Sequence, residues 1–142
     1  MDERQILLIK KSWRHVLLNE DEAGTLFYDR LFQIAPEVKY LFKGSVKELT
    51  RKLVSMVTFI VSKLHNREDV MHEIRSLAKR NNHYQLSAEY YAFVGEALLW
   101  TLENGLAEKW TDELKDTWAN VYFTLADSMI NVSKNLEKLP QR

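Results

Sequence analysis

The chain has no cysteine, two prolines and four glycines in 142 residues. Without cysteine, disulfides, iron–sulfur clusters and thiolate zinc sites are excluded. A cysteine-free chain also fits the cytoplasm, the location expected here. Few glycines and prolines leave few turn signals, and no β-strand alternation is present. Net charge is absent too: 20 basic side chains meet 20 acidic ones. That argues against nucleic-acid binding, which rests on a clustered basic excess. No apolar run approaches the ~20 residues of a membrane span. The first residues, MDERQ, are charged and precede only a short apolar stretch, so no signal peptide is expected. There is no G-x-G-x-x-G, P-loop, H-E-x-x-H or nucleophile motif, and carboxylates are scattered on solvent faces. A catalytic role is therefore not expected. The length suits one domain over 1–142 with a core at about 5–132.

What remains is helical period throughout. Residues 3–18 place Ile6, Ile9, Trp13, Val16 and Leu17 on one face. Asn19 to Glu22 reads as a polar break, and Ala23, Leu26, Phe27, Leu31 and Ile34 form the next stripe. Pro36 fits the first turn of a short helix, and Lys43-Gly44 turns the chain. Ser45 and Glu48 read as a capping box opening a helix over 46–64, with Leu49, Leu53, Met56, Val57, Ile60 and Leu64 inward. A less regular helix is expected over 69–80. Ser87 starts another, ended by Asn104-Gly105. Gly95 lies inside it, where glycine costs ~1 kcal/mol relative to alanine, so a crossing helix is expected to approach there. Thr111, Asp112 and Glu113 open the last helix, whose stripe runs from Leu114 through Trp118, Tyr122 and Met129 to Leu136. The pattern predicts an all-α domain of about seven helices.

Four motifs narrow that class. They are FYDRLFQIAPEVKYLF (27–42), RKLVSMVTFIVSKL (51–64), YAFVGEALLWTLENGL (91–106) and a Trp118-x3-Tyr122 pattern continuing into LADSM. In order and spacing they resemble the globin family over residues 5 to about 132. The likeness is greatest to bacterial-type single-domain globins and the globin domain of flavohaemoglobins, and weaker to neuroglobin and cytoglobin. The resemblance implies a globin fold, a bound haem b and a diatomic ligand, oxygen or nitric oxide. Dioxygenase chemistry on nitric oxide would require an external reductase. The other reading is a haem-free globin fold, a sensor or binding module for another small apolar ligand or a protein partner.

Carried over by position, the resemblance puts Tyr28 over the iron, a half-buried tyrosine with its hydroxyl at the surface being its other reading. Phe42 is the aromatic wedge or an ordinary core aromatic, and Leu49 stands at the distal place where His or Gln is usual. Leu53 and Lys52 follow as pocket wall and as a side chain reaching solvent or a propionate. Tyr91 matches a proximal-side tyrosine, and its acidic partner is absent, the matching place being about Ser133. In Arg80-Asn81-Asn82-His83-Tyr84 the proximal histidine is replaced by Asn81, and an amide oxygen is a poor iron ligand. His83 stands two residues on, about 200° round an ideal helix. It reaches iron as a metal ligand only if the helix end unwinds. A surface side chain and a structural hydrogen bond are its other two readings. His15, His65 and His72 read as solvated.

Overall fold

The computed structural model describes residues 2–42, 44–66, 68–69, 71–72, 75–76 and 88–137. Among these there are five α-helices and no strand: α1 Glu3–Leu17, α2 Glu20–Ile34, α3 Val46–Ser62, α4 Ala88–Leu106 and α5 Asp112–Glu137. Two short 3₁₀ helices, Pro36–Leu41 and Ala107–Lys109, make the corners. The expected helix over 69–80 falls largely outside the described residues, and so do Asn81 and His83. The short helix after Pro36 is 3₁₀ rather than α, so the described residues hold five α-helices where about seven helices are expected.

The helix ends follow local chemistry. Asp2 caps α1, accepting from the Gln5 backbone at 2.8 Å while the Gln5 side chain accepts from Asp2 at 3.1 Å. This reciprocal pair satisfies two otherwise orphan donors. Helix α2 starts at Glu20, not at Ala23. The acids read as a break are its first turn, where negative charge complements the helix dipole. Ser45 accepts from the Glu48 backbone at 3.2 Å, so half of the expected box forms. Helix α3 stops at Ser62, and Asn66 accepts from the Asp69 backbone at 3.2 Å. Helix α4 runs past Asn104-Gly105 to Leu106. The chain leaves it through Ala107, whose φ of 49° lies in the left-handed region. Thr111 accepts from the Leu114 backbone at 3.1 Å and opens α5 as expected.

The buried stripes are those the period marks out. Ile6, Ile9, Trp13 and Val16 of α1, Phe27 and Leu31 of α2, Leu49 and Val57 of α3, Ala97 and Leu98 of α4, and Trp118 of α5 are all buried. Helix α2 is the centre, packed against α3 on one side and α4 on the other, while α4 also crosses α5. Two glycines set those crossings. A Cβ on Gly95 would lie 2.5 Å from Cε1 of Tyr122, so α4 and α5 meet closely there, as expected. A Cβ on Gly24 would lie 2.0 Å from Oγ1 of Thr50, which brings α2 onto α3. Glycine at such points trades helix propensity for close packing. Ser12, a polar residue on the core face of α1, accepts from the Trp118 indole at 2.9 Å and donates to the Ile9 carbonyl at 2.9 Å. Trp13 donates to Thr58 at 2.9 Å, and its ring lies 6.1 Å from that of Trp118.

Candidate functional site

The Gly24–Thr50 contact positions the first group of candidate residues. Tyr28 stands one turn beyond Gly24, and Leu49 precedes Thr50. The approach that excludes a side chain at Gly24 therefore brings the Tyr28 phenol to α3, where its hydroxyl donates to the Leu49 carbonyl at 3.1 Å. Tyr28 is 4% exposed, so a hydroxyl at the surface is excluded. Burial pushes its pKa from 10.0 up to about 12. The ring is held by Phe27 at 4.9 Å and Phe42 at 5.9 Å, both edge-on, and by Phe32 at 5.8 Å. Edge-on aromatic pairs favour fixed ring orientations. Phe42 and Leu53 pack half-buried on the same core cluster as Tyr28 and Leu49.

Four of the expected residues, Tyr28, Phe42, Leu49 and Leu53, thus share one apolar region between α2, α3 and the 3₁₀ corner. It contains one phenolic hydroxyl. Lys52 is exposed on α3. Thr50 is 3% exposed, and its Oγ1 has no hydrogen-bond partner among the described residues. Neither Gly24 nor Thr50 was singled out from the sequence. A glycine inside the α2 stripe was the available signal.

Tyr91 belongs to a second group, on α4. It is buried, and its backbone carbonyl accepts the Tyr122 hydroxyl from α5. The Tyr122 ring lies flush on Gly95 one turn further along α4. Burial first, and then the neighbouring Tyr91 phenol, push the Tyr122 hydroxyl well above the ordinary range. One side chain of α5 therefore fixes two successive turns of α4, including the turn that carries Tyr91.

The described histidines lie elsewhere. His15 sits 3.4 Å from the Lys109 ammonium, His65 pairs with Glu3 at 3.4 Å, and His72 is exposed. Among the described residues no three His, Cys, Asp or Glu side chains converge on a metal position. No helix among them is long and apolar enough to cross a membrane. Asn81 and His83 lie outside the described residues.

Comparison with known proteins bears on this geometry. The family model described as Globin matches residues 25–129. Neuroglobin of Tetraodon nigroviridis is 26% identical over 136 residues, covering 86% of this chain and 86% of that protein. The flavohemoprotein of Oceanobacillus iheyensis is 27% identical over 96% of this chain, which spans 36% of that protein's length. Among solved structures, a bacterial globin from Campylobacter jejuni superposes with a TM-score of 0.83 at 22% identity, over 97% of this chain and 100% of that one. A hexacoordinated heme protein from an anhydrobiotic tardigrade gives 0.84 at 16% identity, over 94% and 96%.

Proposed function

We propose, from the premise that the chain belongs to the globin family, that it holds a haem and binds a diatomic ligand, oxygen or nitric oxide. The observation that carries the reading is the buried Tyr28–Phe42–Leu49 group. It is an aromatic and aliphatic wall containing one hydroxyl, at the positions to which the resemblance assigns the distal side. Such a wall suits an apolar macrocycle with one polar substituent to recognise.

The residues fit the group on this side. Phe42, Leu49 and Leu53 would wall it, and the exposed Lys52 would face its propionates. Haem, when bound, supplies an iron site for the diatomic ligand. Tyr28 supplies the hydrogen-bond donor beside it, and Leu49 keeps water out without ligating. For the iron ligand on the opposite, proximal side the resemblance points to Arg80-Asn81-Asn82-His83. There Asn81 is a poor donor, and we assign the role to His83. Tyr91 and the α4 turn that Tyr122 holds complete that side. A chain without cysteine cannot attach haem through thioethers, which fits the haem b that the resemblance implies. The role is ligand binding rather than catalysis, in the cytoplasm.

The test is an absorbance spectrum of the purified protein before and after haemin is added. An intense haem band that saturates at one equivalent is expected. Free-haemin absorbance at every ratio would overturn the reading. The fold would then serve a small apolar ligand or a partner without haem, a reading that Asn81 and Leu49 favour together. The ligand assignment has its own check: His83→Ala should abolish the band and Asn81→His should strengthen it. An unchanged spectrum in His83→Ala would move the assignment to another residue, with Lys52 the first to examine.

A further inference from the structure

We propose that the outer face of α3, with the 3₁₀ corner before it, docks a partner protein through an acidic surface on that partner. The chain is neutral overall, but its charge is unevenly spread. Residues 38–64 contain Lys39, Lys43, Lys47, Arg51, Lys52 and Lys63 against a single acid, Glu48. Among the described residues of this stretch, Lys39, Lys47, Arg51 and Lys52 are exposed. None of these four has an ion-pair partner among the described residues, whereas Arg4, Arg30 and Lys63 each have one. Lys39 lies 6.0 Å from the Phe32 ring, and the exposed Glu37 and Glu48 are the acids beside the cations.

A second observation points to protein rather than to any polyanion. Tyr40 is 85% exposed and Val46 is 43% exposed, so two of the large exposed apolar side chains sit inside this basic stretch. An aromatic anchor within a charged rim is the usual anatomy of a protein interface. Nucleic acid would ask for more positive charge and for aromatic faces stacked in series.

The location gives the face its function. The inner side of α3 carries Leu49 and Leu53 into the core, and the outer side carries Lys47, Arg51 and Lys52. A docked partner is separated from the interior by one helix, about 10 Å across. The Tyr28 hydroxyl is anchored on the first turn of that same helix. A partner that shifts α3 acts directly on the Tyr28–Leu49 contact, whatever that apolar region holds.

The experiment titrates the full chain with flavodoxin, a small acidic protein, used as the probe and followed by amide shifts. Binding should be confined to residues 37–55 and weaken about tenfold or more between low and physiological salt, as exposed charge pairs do. The triple variant Lys47→Glu, Arg51→Glu, Lys52→Glu should lose binding at least tenfold, and Tyr40→Ala should lose it without any change of charge. Lys10→Glu with Lys11→Glu on α1 should bind as the unmodified chain does. The readout requires no haem, so it stands apart from the haemin titration. Equal binding by the triple variant would overturn the proposal. So would tighter binding to single-stranded DNA or to phosphatidylserine vesicles than to the acidic protein, or concentration-dependent self-association that occupies the same face.

Discussion

At the scale of single residues, Tyr28 decides most. Its hydroxyl is not idle: it donates to the Leu49 carbonyl, and a phenol has one proton to give. If a diatomic ligand binds beside Tyr28 as proposed, it must take that proton from Leu49. The net gain is the difference between a hydrogen bond to a charged group and a neutral one, about 1 kcal/mol. Tyr28→Phe should therefore speed ligand release by roughly fivefold, less than the ten- to hundredfold of an unshared hydroxyl. The same substitution should cost about 1 kcal/mol of stability, because the buried bond to α3 is lost. Stopped-flow release and a denaturant melt would read the two effects. A hundredfold release effect with no loss of stability would mean that Tyr28 does not hold the Leu49 carbonyl in the ligand-free protein. This bond was not legible in the sequence. A backbone carbonyl leaves no pattern, and periodicity marks which side of a helix is buried without marking where a hydroxyl ends.

Elements were more legible, because a helix repeats its signal every turn. The stripes of α1 and α3, and that of α5 as far as Leu125, gave the buried faces directly, and Thr111 gave a helix start; Met129, Val132 and Leu136 lie where side chains are not described. Gly95 gave a crossing, because a glycine inside a helix needs a reason. The errors fell where one residue type serves two purposes. Glu20, Asp21 and Glu22 suit a solvated break and a first helical turn equally well, so the start of α2 was placed three residues late. Asn104-Gly105 carries turn chemistry, but packing of Leu106 into the core extends α4 past it.

The close approach at Gly95 makes a quantitative prediction. Its Cβ would meet a ring that is fixed at its far end by the Tyr122–Tyr91 bond, so the neighbour cannot swing away. Gly95→Leu should destabilise by about 1–3 kcal/mol or more through overpacking. A double variant with Tyr122→Ala should recover part of that cost, and the coupling measures the contact. Purely additive effects in thermal melts would refute it.

For the whole molecule, two buried phenols set an alkaline limit. The chain has six tyrosines, and Tyr28 and Tyr122 are held neutral by burial. A folded pKa raised above the unfolded value of 10.0 means that the unfolded chain releases the proton first. The stability these groups contribute is complete below pH 10 and is lost as the pH climbs through about 12 for Tyr28 and higher still for Tyr122. Tyrosinate absorbance should accordingly rise in two stages, with the late stage coinciding with loss of helical circular dichroism. Tyr28→Phe should shrink that late stage. A single smooth titration with the helices intact would show that both phenols are reached by solvent in the folded chain.

The two indoles at the centre of the bundle have a consequence of another kind, in time rather than in energy. The Trp118 indole N–H ends on Ser12 across the α1–α5 contact, and the Trp13 indole N–H ends on Thr58 across the α1–α3 contact. Each proton is shut in by a different pair of helices, so each can exchange with heavy water only when its own contact parts. The two side-chain resonances then act as separate clocks on one molecule. If α1 leaves the bundle as a unit, they exchange at one rate. If α3 moves while α1 and α5 stay together, the Trp13 proton disappears while that of Trp118 persists.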